Sequence, residues 1–449
     1  MSSTTTRDRQ KRSAPQWALT AALAGLPLAL IAMGPAVVAD VRGRSLPVYA
    51  CQIAVAVLVV HIGFSALAKR SYGGVHVTMR WLLAATAVLA LPLIWSTDPA
   101  AGVLAYFNFA SGTVGGIAIA VVWKDIQRGY SWIDVGYLVF LIAGVTQLLV
   151  RYSSADSVNS LHQSSPMPWG VSSVVAGGLV VAALIVIARS ATLGSNRKYA
   201  VTVGLVAIGV ALLTLTRGAI IAACVGAIFL LWSKTGRQEP QRLRSAPTAS
   251  SPAGTHAVVR LLSRVLAIFI PVVGFIAIER ATELRAQLNT QVHANVDTRF
   301  EMYRLAWEDF LRSPLTGTGW ASFRETSLDV TGQSQTFAHN LVVSMLQIGG
   351  LLSLPYLAVL SFLAYRALRH GGPYTAAVAA SIAVSMTQPF FESTVCNLIF
   401  LPIAFLAGLS TATTEGDDAM GAKPRAGANR KRMRSTRSVH GASRAHASV

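Results

Sequence analysis

Carboxylates are rare in this sequence: 19 Asp and Glu occur among 449 residues, and 13% of positions are charged at all. A soluble domain carries about 25% charged residues, so the composition excludes an ordinary cytoplasmic enzyme. Cysteine is scarcer still. Cys51, Cys224 and Cys396 are scattered, mostly inside apolar runs, which excludes a disulfide framework and a zinc ligand set and leaves them as packing residues. The apolar runs themselves lack carboxylates: Asp134 stands at the edge of one, and His61 is the one ionisable residue placed deep in another. Ion-coupled transporters rely on carboxylates near the midplane, so a transporter or lipid-linked oligosaccharide flippase is the weaker reading. His61 reads as a packed, hydrogen-bonded side chain.

What the chain has in abundance is apolar surface, with 53% hydrophobic residues and a mean hydropathy of +0.51. A hydrocarbon core of about 30 Å takes about 20 residues of helix. Twelve candidate spans follow, near 17–39, 46–68, 79–95, 102–122, 132–150, 169–188, 199–213, 219–233, 258–278, 338–365, 374–390 and 396–411. The reading is an all-α polytopic membrane protein with a cytoplasmic N-tail (1–16), transmembrane helices 1–9 (17–278), a long extracytoplasmic loop (279–337), transmembrane helices 10–12 (338–411) and a disordered basic cytoplasmic tail (412–449). Basic residues set the orientation: with the N-terminus inside, 28 of the 38 Lys and Arg fall on cytoplasmic segments. The formal charge of +19 then reports topology and contacts with anionic membrane lipids, with no role for nucleic acid.

The loop 279–337 departs from linker composition. Asp297-Thr298-Arg299-Phe300-Glu301 reads as a helix start, with Thr298 and Glu301 in capping-box spacing. Phe300, Tyr303, Trp307, Phe310 and Leu311 continue at helical steps, which predicts an amphipathic helix on the outer surface, stopped by Pro314. Its arginines differ. Arg304 has Glu301 and Glu308 at i−3 and i+4, and Arg312 has Glu308 at i−4, so both can be solvated ion pairs. Arg299 has no carboxylate at i+3 or i+4 and is the one free to bind something else, with Arg304 in reserve.

Two further sites stand out. Spans seven and eight are short and joined by Leu213-Thr214-Leu215-Thr216-Arg217-Gly218, a turn drawn below the outer surface. Arg217 there either snorkels to headgroups or forms an anion site for a phosphorylated lipid. Phe337-Ala338-His339-Asn340 opens the tenth span. A helix N-terminus disfavours the imidazolium, so His339 is either an interfacial cap or a neutral general base.

Taken in order, the Thr216-Arg217-Gly218 turn, the stretch from Thr298 to Trp307, Pro314-Leu315-Thr316-Gly317-Thr318-Gly319-Trp320, and His339-Asn340 ahead of Gly349-Gly350 resemble the O-antigen ligase and polymerase superfamily of bacterial membrane glycosyltransferases. The motifs cover about 211–355, and the span layout extends the likeness, GT-C-like, over the whole chain. The resemblance implies a polyprenyl-diphosphate-linked glycan donor such as an undecaprenyl diphosphate, a lipid or glycan acceptor, and a metal-free, cofactor-free reaction on the outer side of the cell membrane. The family's turn arginine, loop-helix arginine and histidine match Arg217, Arg299 and His339. No DxD-like motif appears in the first outer loops, where Asp40 and Asp98 stand alone, unlike metal-dependent dolichyl-type mannosyltransferases. Ligase and repeat-unit polymerase remain alternatives.

Overall fold

The structure is a computed structural model that describes residues 14–41, 44–69, 76–125, 131–153, 166–167, 170–190, 197–236, 270, 273–281, 283, 292–331, 336–370, 372, 374–388 and 394–409. Helices dominate. In chain order they are α1 (Ala14–Leu30), α2 (Ala50–Lys69), α3 (Val77–Val88), α4 (Pro99–Asp125), α5 (Trp132–Ser153), α6 (Ser172–Ser190), α7 (Arg197–Leu213) and α8 (Arg217–Gly236). After them come α9 (Val292–Arg312), α10 (Phe323–Thr331), α11 (Leu341–Gly349), α12 (Leu354–His370), α13 (Thr375–Ser385) and α14 (Thr394–Leu409). Among the described residues, three helical stretches are long and apolar enough to cross a membrane, Pro99–Trp123, Trp132–Val150 and Leu341–Arg369 (the last counted across a 3-10 turn at Gly350–Ser353), and eight apolar helices are shorter. This helical content is compatible with an all-α membrane protein.

The centre of the bundle can be recognised from composition. Residues 174–190 of α6 and 394–408 of α14 are buried almost throughout, as expected of helices apolar on every face. Around them α14 packs on α4, α1 on α5, α13 on α8 and α6 on α7. Small residues let these helices approach closely. A Cβ on Gly25 of α1 would collide with the Trp132 carbonyl of α5, and one on Gly136 with the Gly25 carbonyl. At one end of the bundle Arg189 donates from Nε to Asp134 Oδ1 at 2.9 Å, with both side chains about 5% exposed, and Ser131 binds the other carboxylate oxygen through its backbone N–H and its hydroxyl, both at 2.8 Å. Asp134 is thus half of a buried ion pair. His61 meets Thr20 Oγ1 at 2.9 Å, the packing role expected of it.

Several boundaries differ from the sequence reading. The first span ends at Met33, and residues 35–41 form β1 (Pro35–Val41), paired antiparallel with β2 (Arg44–Tyr49). A run rich in Val around the Asp40-to-Arg44 turn prefers the pleated strand to a helix end. A second, two-residue-per-strand hairpin pairs Pro166–Met167 with Gly170–Val171. The predicted tenth span is broken, with a 3-10 turn over Gly350–Ser353 between α11 and α12. Helix α9 begins at Val292, so Thr298 lies inside the helix and not at its cap. Of the ninth predicted span, 270 and 273–278 are described and helical. The 1–13 tail, the 237–257 loop and the 410–449 tail lie outside the described residues.

The break in the tenth span has a cause. Gly317, Gly319 and Gly350 all have positive φ, at 68°, 97° and 54°, where a side chain is strained. The turn after α9 presses its backbone on the break: Thr318 and Gly319 donate N–H groups to the carbonyls of Gln347 and Ile348 at 2.8 and 3.0 Å, and Leu351 donates to the Pro314 carbonyl at 2.9 Å. A Cβ on Gly317 or Gly350 would occupy the same space as the facing backbone. Trp320 then buries its ring against Tyr106, Phe109 and the Leu89 carbonyl, to which its indole N–H donates at 2.7 Å. Helix α9 is therefore fastened to α11 and to the α3–α4 elbow.

Candidate functional site

Three segments meet where α8 begins, α13 ends and α11 is about to start. The first is the turn before α8. Thr214 and Thr216 are buried, their hydroxyls 2.8 Å apart, and Leu215 between them has φ 52°. This tight turn makes Arg217 the first residue of α8, at the positive end of that helix. Gly218 follows, and a Cβ there would press on Thr387 and Gln388 beyond the end of α13.

The second segment is α9, which contributes Arg299 and Tyr303 from one face. Arg299 Nη1 donates to the Thr387 carbonyl at 3.4 Å. Burial lowers the Arg299 pKa, the Tyr303 phenol opposes the shift, and the nearby Arg217 charge adds to it. The two guanidiniums are therefore within electrostatic reach of each other. Among the described residues, Arg299 has no carboxylate partner.

The third segment carries His339. Its backbone is left-handed, φ 58°, although it is not glycine, a conformation that costs about 1–3 kcal/mol unless its surroundings impose it. Asn340 behind it caps α11, its Oδ1 accepting from Val342 N and Val343 N at 3.0 and 3.3 Å, while its Nδ2 donates to the Met386 carbonyl at 3.4 Å. His339 Nδ1 is buried with no hydrogen-bond partner. Burial, and then the Arg299 charge, push the imidazole pKa down to about 4. The ring is thus neutral, as the sequence suggests. The cause differs: it is desolvation and a cationic neighbour, and Asn340, not His339, is the helix cap.

The remaining arginines lie elsewhere. Arg304, the reserve candidate, is exposed and held by Glu301 and by Glu308 at 2.6 Å. Arg312 pairs with Asp309 at 3.3 Å and not with Glu308, which Arg304 has already engaged. Sequence reasoning missed Tyr303, Thr387 and Asn340 as parts of the site. Among the described residues no three His, Cys, Asp or Glu come together as metal ligands.

The arrangement can hold an anion and accept a proton. Two guanidiniums offer paired donors to phosphate oxygens, and a neutral imidazole with an unpartnered nitrogen stands beside them. No curated protein matches the chain. The family model described as O-antigen ligase matches residues 202–358, which include Arg217, Arg299, Tyr303 and His339. The resemblance to the O-antigen ligase family read from the motifs is borne out over that stretch, and the match supports a membrane glycosyl-transfer enzyme in general terms.

Proposed function

We propose that the protein is a metal-independent, inverting glycosyltransferase of the ligase type, which moves a polyprenyl-diphosphate-linked glycan onto an acceptor hydroxyl. The observation that carries this reading is the pairing of two mutually repelling arginines beside a neutral histidine. A diphosphate between Arg217 and Arg299 turns their repulsion into attraction. As the glycosidic bond breaks, the charge growing on the leaving diphosphate meets guanidiniums already in place. His339 takes the proton from the acceptor hydroxyl as it attacks the anomeric carbon. Its basicity rises when the donor binds, because the diphosphate offsets the Arg299 charge that helps to suppress it. A single displacement of this kind inverts the anomeric centre.

The site faces the extracytoplasmic side of a bacterial cell membrane in this reading. The twelve-span layout and the basic-residue distribution support that placement. The same chemistry would serve a repeat-unit polymerase, which differs in its acceptor.

Turnover measured beside binding of a labelled polyprenyl-diphosphate glycan in detergent tests the roles. His339→Ala is expected to lower transfer by about 10²–10⁴-fold with donor binding kept, whereas Arg217→Ala weakens binding as well. Full activity of His339→Ala would remove the base. Loss of activity in EDTA that a divalent ion restores would overturn the metal-free mechanism.

A further inference from the structure

His339 occupies a backbone conformation that a non-glycine residue does not hold unaided, and the structure shows what surrounds it. Upstream, the Ala338 N–H donates to Ser344 Oγ at 3.1 Å. Downstream, Asn340 is fixed both by its cap and by the Met386 carbonyl. At the residue itself, Tyr303 Oη donates to the His339 carbonyl across a long 3.4 Å. Tyr303 also packs against the small cluster that contains Ala338, so its ring is anchored beside the kink. Its phenol lies near the Arg299 guanidinium, one helical turn back along α9.

We propose that Tyr303 is a positioning residue, whose hydroxyl holds the carbonyl of His339 and so keeps the imidazole turned into the space shared with Arg299. The inference rests on His339 being the base proposed above. Tyr303 need not touch substrate: it acts through the backbone of its neighbour. The same helix supplies Arg299 and Tyr303 four residues apart, so the cation and the support for the base move as one body. Among the described residues, the charged group that acts on the imidazole is Arg299 from α9, itself beside Arg217 of α8, while the Tyr303 hydroxyl from α9 meets the His339 carbonyl. The end of α13 contributes carbonyls and the uncharged Met386, Thr387 and Gln388.

Tyr303→Phe tests this, because it removes the hydroxyl and keeps the ring in its cluster. Without the hydrogen bond the kink relaxes and water reaches the imidazole. The expected result is a fall in kcat of up to about 10²-fold, the cost of misplacing a reacting group, with the donor KM unchanged. The acid limb of the kcat/KM profile should also move. In the parent, activity should hold while His339 is neutral and fall off as pH drops through about 4. In Tyr303→Phe that limb shifts upward, toward the 6.5 of an ordinary imidazole. A variant that loses folded protein only would show fewer active molecules with an unmoved limb, and that result overturns the positioning role. So would an unchanged kcat. A parent with no acid limb that His339→Ala abolishes would instead reject His339 as the base, and the role of Tyr303 with it.

Discussion

Arg189 and Arg299 lie at opposite ends of α13, and the protein treats them in opposite ways. Tyr374, just before α13, stands against Arg189 and Asp134, while Thr387, just after it, accepts from Arg299. Arg189 is buried with a carboxylate at 2.9 Å that Ser131 also holds. Arg299 is half-buried with one long bond to a carbonyl among the described residues. A guanidinium has five N–H donors, so most of the hydrogen-bonding capacity of Arg299 is not taken up by the described residues. In the function proposed above, the difference separates a charge that serves the fold from one that binds the donor.

The sharpest way to break this comparison is to remove Arg299. Arg299→Ala should cut transfer by about 10²–10³-fold, the usual effect of losing one preorganised donor to developing charge, and Lys should rescue poorly because an ammonium lacks the fork. Kinetics on purified protein would show this, and near-parental turnover would place Arg299 with the structural cations. Next in size is Asp134→Ala, which strands Arg189 without its partner. Breaking a buried pair from one side costs about 3–5 kcal/mol, so thermal stability should fall while kcat per folded molecule stays. Replacing the pair with Leu at 134 and Met at 189 should recover much of the loss. If the double variant melts no higher than the single one, the pair does more than satisfy itself. The smallest effects belong to α9's other arginines. Arg304→Ala should leave turnover and melting temperature near the parental values, since solvent screens its exposed ion pairs. Arg312→Ala should also leave turnover near parental, but it strands Asp309, whose carboxylate is buried, so the melting temperature should fall somewhat. Comparable damage at Arg312 and Arg299 would undo the distinction drawn along α9.

How much of this could be read beforehand depended on the range of the interaction. That Arg299 has no carboxylate at helical spacing is legible because neighbours at i±3 and i±4 are local, and the ion pairs of Arg304 follow the same spacing. Sequence spacing offers Arg312 the carboxylate of Glu308 at i−4, but Glu308 is engaged by Arg304, and Arg312 takes Asp309 at i−3 on the same face. Tyr303 and Thr387 left no local trace: their partners lie 36 and 88 residues away. The helical runs were visible in hydropathy, but the β1–β2 hairpin was absorbed into two spans because its valines are as apolar as a helix end. The Gly349-Gly350 pair was visible as a motif. That it breaks a helix depends on a distant partner, the Pro314–Gly319 turn pressed against it.

That contact divides the site into two inheritable parts. The three positive-φ glycines weld the end of α9 to the end of α11, so Arg299, Tyr303 and His339 are carried by one continuous piece of chain, Val292 to Gly350. Arg217 and the end of α13 come from outside it. For anyone building chimaeras, the junctions belong before Val292 and after the 3-10 turn at Ser353, and the host must supply the second arginine. A graft cut between Arg312 and Leu341 would separate His339 from Arg299 and leave both halves with a seam where a weld had been.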